Sequence, residues 1–378
     1  MSEVEIMGMI GVNRERDSSR GVTVSLFGGG INPADEIPAG IDAEYIAEFS
    51  QAHEDSGFDK VLIGYSSATA EGFGVAGYAA SRTKTLGYLI AHRPGFMIPT
   101  LAARQIATLD QLTQGRIAMH IISGGSDVEQ RRDGDWTDHD ARYRRTDEYM
   151  GVMKRVWTET TPFDHDGEFY RFEQNLSEVR TFQKPHVPLY FGGASDVAKE
   201  VGAKRADVYA LWGEPLASIK AQIGHIRARA ANYGRTIKFS VSVRPILGDT
   251  EGEAWERARG ILERVKASVG DTIGPGKPAR LQSEGSRRLL DFAAKGEVYA
   301  QRLWMPLAAT PGPAGRARAA RSSMRSNRPP MRKKTWLTTI QSCPPALAAS
   351  TNRSAKVSNG CSGTRVTTAR PASSQRSA

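Results

Sequence analysis

The sequence predicts an α/β protein built as a (β/α)8 barrel whose eighth strand is not visible. Three observations lead there. Seven short apolar runs alternate with segments of helical period, the pattern of a parallel sheet joined by crossover helices. Several runs end in glycine or polar residues, and a barrel of this kind gathers its function at the carboxyl ends of its strands. The turn after the first run is GVNRERDSS, whereas a doubly wound nucleotide-binding sheet places a glycine-rich turn there.

The runs predicted as strands are Glu5–Ile10, Lys60–Gly64, Leu86–Ala91, Ile117–Ile122, Leu189–Phe191, Val208–Leu211 and Lys238–Leu247. Between them, Ala43–Gly57 reads as a helix closed by glycine, and Pro99–Gly115 opens on proline and closes on glycine. Glu251–Ala267 is a further helical pattern. A Gly/Pro-rich loop through Lys277-Pro278 and a helix near SRRLLDFAAKGEVYAQRLW follow it. After Trp304 the pattern stops. The expected organisation is a barrel over 1–305 and a basic, low-complexity tail over 306–378, rich in Ala, Arg, Ser, Pro and Thr and of disordered composition. Its one strand-like piece is TWLTTIQ, Thr335–Gln341.

The net charge of +10 is a property of that tail. Thirteen of the 51 Lys and Arg residues lie beyond Met305, where there is no Asp or Glu; the remaining 38 face 41 acids, so the body is slightly acidic. Both cysteines, Cys343 and Cys361, are also in the tail, so the body carries neither thiol chemistry nor a Cys metal site. His53, His165, His186 and His225 share no ligand spacing, and no metal site is expected. No apolar run approaches the ~20 residues of a membrane span. MSEVEIMGMIG lacks a basic region ahead of a long apolar stretch, so the expected location is cytoplasmic.

Two strands end in bare backbone, in HIISGGSD (His120–Asp127) and YFGGASD (Tyr190–Asp196). Glycine pairs let main-chain N–H groups approach a ligand, and a serine opening the next helix adds a hydroxyl where the helix dipole favours an anion. A phosphate-bearing cofactor satisfies this pattern, and so do two ordinary tight turns.

Taken in order, HRPGFMIPTLAARQIATLDQLTQGR (His92–Arg116), the SGGSD turn, DHDARYRRTDEYM (Asp138–Met150), FDHDGEFYRF (Phe163–Phe172), PHVPLYFGGASD (Pro185–Asp196) and YALWGEP (Tyr209–Pro215) resemble the bacterial-luciferase-like flavin monooxygenases. The likeness is to the two-component alkanesulfonate monooxygenase branch and covers roughly residues 5 to 305. It implies a TIM barrel that takes reduced FMN (FMNH2) from a separate NAD(P)H-dependent flavin reductase. With O2, such an enzyme oxidises a small organosulfur substrate such as an alkanesulfonate, commonly as a homo-oligomer.

By that resemblance Ser195, with the Gly192 and Gly193 backbone, holds the FMN phosphate, aided by Arg142 and Tyr143. Glu129 contacts the flavin, Ile63 and Gly64 line its pocket, and His120 stands at the ring edge where relatives commonly have Asn. Without the resemblance, Arg142 and Tyr143 read as a solvated helix face and His120 as a satisfied core histidine. On the substrate side the implied catalytic residues are Arg244, His92 and Trp212. Arg244 could bind an anionic headgroup; it cannot act as an ordinary base. Ser242 and Arg244 take positions where relatives carry Arg and His, and a strand would put both on one face. His92-Arg93 follows the third strand toward the same mouth, and Trp212 would wall the ring; Arg93 as a helix cap and Trp212 as core are the alternatives.

The resemblance stops after Leu303–Ala309, where relatives continue to the eighth strand. An acid-free Arg/Ser/Pro/Ala ending is what a GC-rich gene read in the wrong frame would give; a real basic extension is the alternative. An unclosed barrel exposes two sheet edges, which predicts poor solubility or lost activity. Two other functions fit the same chain: an F420-dependent oxidoreductase on this barrel, and a non-catalytic barrel whose basic tail binds nucleic acid.

Overall fold

The parallel sheet follows from how the apolar runs pair. The structure, a computed structural model, describes residues 4–14, 40–269, 283–309 and 335–339. Seven strands lie side by side in the order β1 (Met7–Ile10), β2 (Lys60–Ile63), β3 (Gly87–His92), β4 (Ile117–Ile121), β7 (Leu189–Gly192), β8 (Val208–Trp212) and β9 (Lys238–Ser242). Every neighbouring pair in this curled, barrel-like sheet is parallel. A hairpin of β5 (Phe163–Asp166) and β6 (Arg171–Asn175) inserts between the fourth and fifth strands of the sheet.

The crossovers are α1 (Ala43–Asp55), α2 (Gly72–Ser81), α3 (Pro99–Leu112), the short α4 (Asp127–Arg132), the long α5 (His139–Thr158), α6 (Asp196–Arg205) and α7 (Leu216–Ala231). After the sheet come α8 (Glu251–Val269) and α9 (Glu284–Lys295). Their starts are encoded locally. Asp42 caps α1 by accepting from Tyr45 N at 2.9 Å, Asp138 caps α5 by accepting from Ala141 N at 2.9 Å, and Pro99 opens α3.

Strand alternation sorts the side chains into two layers. Ile63, Tyr88, Ile90, Ile117, Met119, Ile121, Leu189, Phe191 and Tyr209 face the helices and form the main core. Leu62, Leu89, Ala118, Tyr190 and Val208 face the interior and cluster there with Met7. β3 is buried at every position, which is why its sequence is continuously apolar.

Three segments differ from expectation. The run Lys238–Leu247 is two strands: β9 joins the sheet, while β10 (Arg244–Gly248) pairs antiparallel with β13 (Thr335–Thr339). Pro245 lacks the N–H that a continued central strand would donate. The last helix ends at Lys295, before Gly296, and gives way to a hairpin of β11 (Val298–Tyr299) and β12 (Leu303–Trp304). TWLTTIQ does form a strand, β13, but outside the main sheet; among the described residues no strand joins β1 to β9. The rest of the tail, 310–334 and 340–378, lies outside the described residues.

Candidate active site at the carboxyl ends of the strands

The space in the barrel follows from residue size. His120 sits level with Ala91 and Tyr190, and Tyr190 with Val208, so these residues form one interior belt. Two steps further along, Gly192, Ala210 and Ser240 are paired in register. Three small residues above a belt containing His120 and Tyr190 leave room for a flat group at that end of the sheet.

Beside that space is a backbone cradle. A Cβ on Gly192 would lie 2.6 Å from the Ala210 carbonyl oxygen, and one on Gly193 would lie 2.5 Å from the Ala198 Cβ and 3.3 Å from the Tyr143 hydroxyl. Neither position tolerates a side chain, so the turn keeps its main chain bare. The Gly193 carbonyl accepts from Tyr209 Oη at 2.8 Å, which fixes the turn's orientation. Ser195 caps α6, its Oγ accepting from Ala198 N at 3.3 Å. Tyr143 is buried; burial pushes its pKa up, and the neighbouring Ser195 partly offsets this.

Arg142 is only 2 % exposed, so this helix face is no solvated one. Its guanidinium donates to Asp127 at 2.8 Å and to the Thr137 carbonyl at 2.5 Å, and Nε is buried without a partner. Arg142 thus braces the SGGSD turn through Asp127, while Tyr143 reaches the Gly193 cradle. In that turn Gly124 has φ +95, the left-handed region open to glycine, and a Cβ there would overlap the Gln130 amide at 1.5 Å. Gln130 is fully buried, with neither amide atom hydrogen-bonded.

His120 faces the interior. Its ring is partly open, its Nδ1 is enclosed with no partner, and burial pushes its pKa down to about 4. The satisfied core histidine is therefore not what the structure shows. An enclosed imidazole nitrogen without a partner is a group able to meet a ligand.

The register places other sequence candidates elsewhere. Ile63 packs in the helix-facing core, because Leu62 holds the interior phase; Gly64 follows Ile63 at the strand end. His92 shares the phase of Tyr88 and Ile90, so it too lies under the helices. Its Nε2 meets Tyr149 Oη at 2.6 Å and its ring meets Phe73 edge-on, so His92 is not brought to the mouth. Arg93 is there instead, 4 % exposed, 3.5 Å from Asp133, 3.7 Å from Glu129 and stacked 4.5 Å from the Tyr65 ring. That is an ion-paired rim residue and no helix cap. Glu129 is engaged likewise, accepting from Ser67 N at 2.6 Å and pairing with Arg132 at 3.2 Å.

Trp212, 38 % exposed, ends β8 opposite Ser242, so it is a rim residue and not core. Arg244 lies beyond the break after Ser242, and burial pushes its pKa down to about 10, still a cation at neutral pH. Sequence reasoning missed Tyr65, Ser67, Asp133 and Gln130, which carry no motif of their own. It also missed Ser283, which caps α9 and approaches Gly125, although S-E-G-S is an ordinary helix-start signal. Among the described residues no group of His, Cys, Asp or Glu could hold a metal ion, and no helix is long and apolar enough to cross a membrane.

A curled parallel sheet with a glycine-and-serine turn at its carboxyl edge is the architecture of an α/β barrel whose function gathers at the carboxyl ends of its strands. The luciferase-like monooxygenase family matches residues 22–320, and the chain belongs to that family of oxidoreductases. Similar solved structures include riboflavin lyase (RcaE), with modified FMN and riboflavin, at 21 % identity over 60 % of this chain and 61 % of that one, TM-score 0.56. DmoA from Hyphomicrobium sulfonivorans shares 20 % identity over 76 % and 73 %, TM-score 0.59. EDTA monooxygenase (EmoA) from Chelativorans sp. BNC1 shares 18 % over 75 % and 80 %, TM-score 0.56. At these identities the likeness is one of fold, and this chain spans about three-fifths of the riboflavin lyase chain, 61 %.

Proposed function

We propose that the chain is a monooxygenase that uses reduced FMN and O2 to oxidise a small organosulfur substrate such as an alkanesulfonate. The observation that carries this reading is the convergence of the bare Gly192-Gly193 turn, Ser195 and Tyr143 with the unpartnered His120 Nδ1 at one end of the sheet. These residues fit FMN: a cradle that a Cβ would fill suits a phosphate, and an orphaned ring nitrogen suits the polar edge of a flavin. When bound, reduced FMN supplies the electrons and activates oxygen.

The chain's own residues do the rest. Gly193, Ser195 and Tyr143 hold the phosphate, and Arg142 braces the opposing turn from behind. Neutral His120 offers Nδ1 to the ring edge without bringing a charge into the interior. Trp212 covers the rim and helps exclude water, which protects oxygen chemistry from wasteful side reactions. Arg244 keeps its charge and would hold an anionic headgroup. In this reading a separate NAD(P)H-dependent reductase delivers the flavin, and the protein works in the cytoplasm as a homo-oligomer.

The test is anaerobic titration of the purified chain with reduced FMN, then mixing with O2 and candidate sulfonates. The reading expects saturable binding and substrate-dependent oxygen consumption. Failure to bind at saturating FMN, or binding of F420 in its place, contradicts it.

A further inference from the structure

α9 crosses the rim of the cradle and is tied there by one buried carboxylate. Glu214, 2 % exposed in the LWGEP segment, accepts from Arg288 Nε at 2.9 Å and from Arg288 Nη2 at 2.6 Å, a two-point fork from α9. Ser218 Oγ and Gln222 Nε2, both on α7, donate to the same carboxylate at 2.5 and 2.9 Å. The carboxylate also raises the pKa of Arg288. One turn before Arg288, the start of α9 lies beside both glycine turns and the rim tryptophan. Ser283 lies 3.6 Å from where a Gly125 Cβ would be, and a Cβ on Gly285 would lie 3.1 Å from Trp212 Nε1 and 3.8 Å from the Ala194 Cβ.

We infer that Glu214 and Arg288 are positioning residues for the cofactor site: their ion pair seats Ser283–Gly285 on the rim between the two glycine turns. The inference rests on the flavin reading of the cradle. A planar fork donating to a buried carboxylate fixes distance and direction, which a lysine in place of Arg288 cannot reproduce. α7 sets the carboxylate, the carboxylate sets Arg288, and Arg288 sets the three residues that stand beside the two glycine turns. Those residues lie beside Gly125, Ala194 and Trp212, so displacing them opens the site and loosens the rim tryptophan while leaving Gly193, Ser195, Tyr143 and His120 in place.

The experiment uses the full chain as Arg288→Gln and Arg288→Lys, with Glu54→Gln as a distant control. Hydrogen–deuterium exchange over 283–295 reads the tie without flavin, and fluorescence titration reads FMN affinity. The expected result for Arg288→Gln is faster exchange confined to 283–295 and its contacts, with FMN binding weakened about tenfold, as for losing one charge-assisted contact. Arg288→Lys should fall between Arg288→Gln and the parent, and Glu54→Gln should change neither. Unchanged exchange in Arg288→Gln overturns the inference, and so does loosened α9 with unaltered FMN affinity. If the parent chain binds no FMN, the flavin reading fails instead, and exchange alone decides the tie.

Discussion

Replacing Gly193 with alanine places a methyl 2.5 Å from the Ala198 Cβ and 3.3 Å from the Tyr143 hydroxyl. Carbon atoms rest about 3.5–4.0 Å apart, so the first turn of α6 must retreat by roughly 1 Å. Ala198 is the residue whose N–H reaches the Ser195 cap, and at 3.3 Å that bond has no slack. Losing such a cap costs about 1 kcal/mol, and overpacking a tight site about 1–3 kcal/mol, so Gly193→Ala should destabilise by about 2–4 kcal/mol. Gly224→Ala is the control: it lies inside α7 with nothing within 4 Å, and should gain about 1 kcal/mol. The functional assay is parallel titration with FMN and with riboflavin, which lacks the phosphate. Gly193→Ala should weaken FMN by about tenfold or more, the worth of a charge-assisted bond, and riboflavin by less than about threefold. Equal losses for both flavins, or none for FMN, would refute the placing of the phosphate at this turn.

Glu54 accepts from Thr85 N, Thr85 Oγ1, Leu86 N and Lys84 N, and these bonds outweigh burial and hold its pKa at about 2. Its folded pKa is depressed, so its contribution is present above the unfolded value of about 4.3 and is lost as pH falls toward 2; Glu54→Gln should flatten that limb in acid denaturation followed by circular dichroism. His120 and His92 are both held near pKa 4 by burial, so stability should fall as pH drops from about 6.5 toward 4, while the unfolded chain takes up protons that the folded one refuses. His120→Asn should remove part of that slope. Gly124→Ala should cost about 3 kcal/mol or more, because it meets the Gln130 amide and needs a left-handed alanine; adding Gln130→Ala should restore the steric part and leave about 1–2 kcal/mol, read from urea melts. Among the described residues β1 and β9 are sheet edges with no strand on their outer sides, so the purified chain should aggregate with rising concentration in light scattering; a monodisperse sample would contradict this.

The strands were legible because the apolar runs are bounded by glycine or polar residues; the first six sheet strands fall on them within a residue or two, and the seventh run overshoots its strand, which ends at Ser242. What sequence periodicity could not settle was phase. A strand buried on both faces shows no alternation, so nothing in KVLIG or LIAHR says that Leu62 and Leu89 turn inward while Ile63 and Ile90 turn toward the helices. The break after Ser242 was signalled by Pro245 but hidden by the apolar residues around it. Arg142 and Tyr143 looked like members of a charged surface helix because Asp140, Arg144 and Asp147 interleave with them. Only packing separates the buried face, with Arg142 at 2 % exposure, from the solvated one. Long-range ties such as Glu214–Arg288 and Arg93–Asp133 leave no local trace, since their partners are far apart in the chain.

The most direct measurement is a crystal structure of the chain soaked with FMN. Phosphate density within hydrogen-bonding reach of Ser195 Oγ and the Gly193 backbone, with the ring edge at His120 Nδ1, is the predicted result. Flavin density at another surface, or a phosphate at this end of the sheet without contact to Ser195 or Gly193, would contradict it.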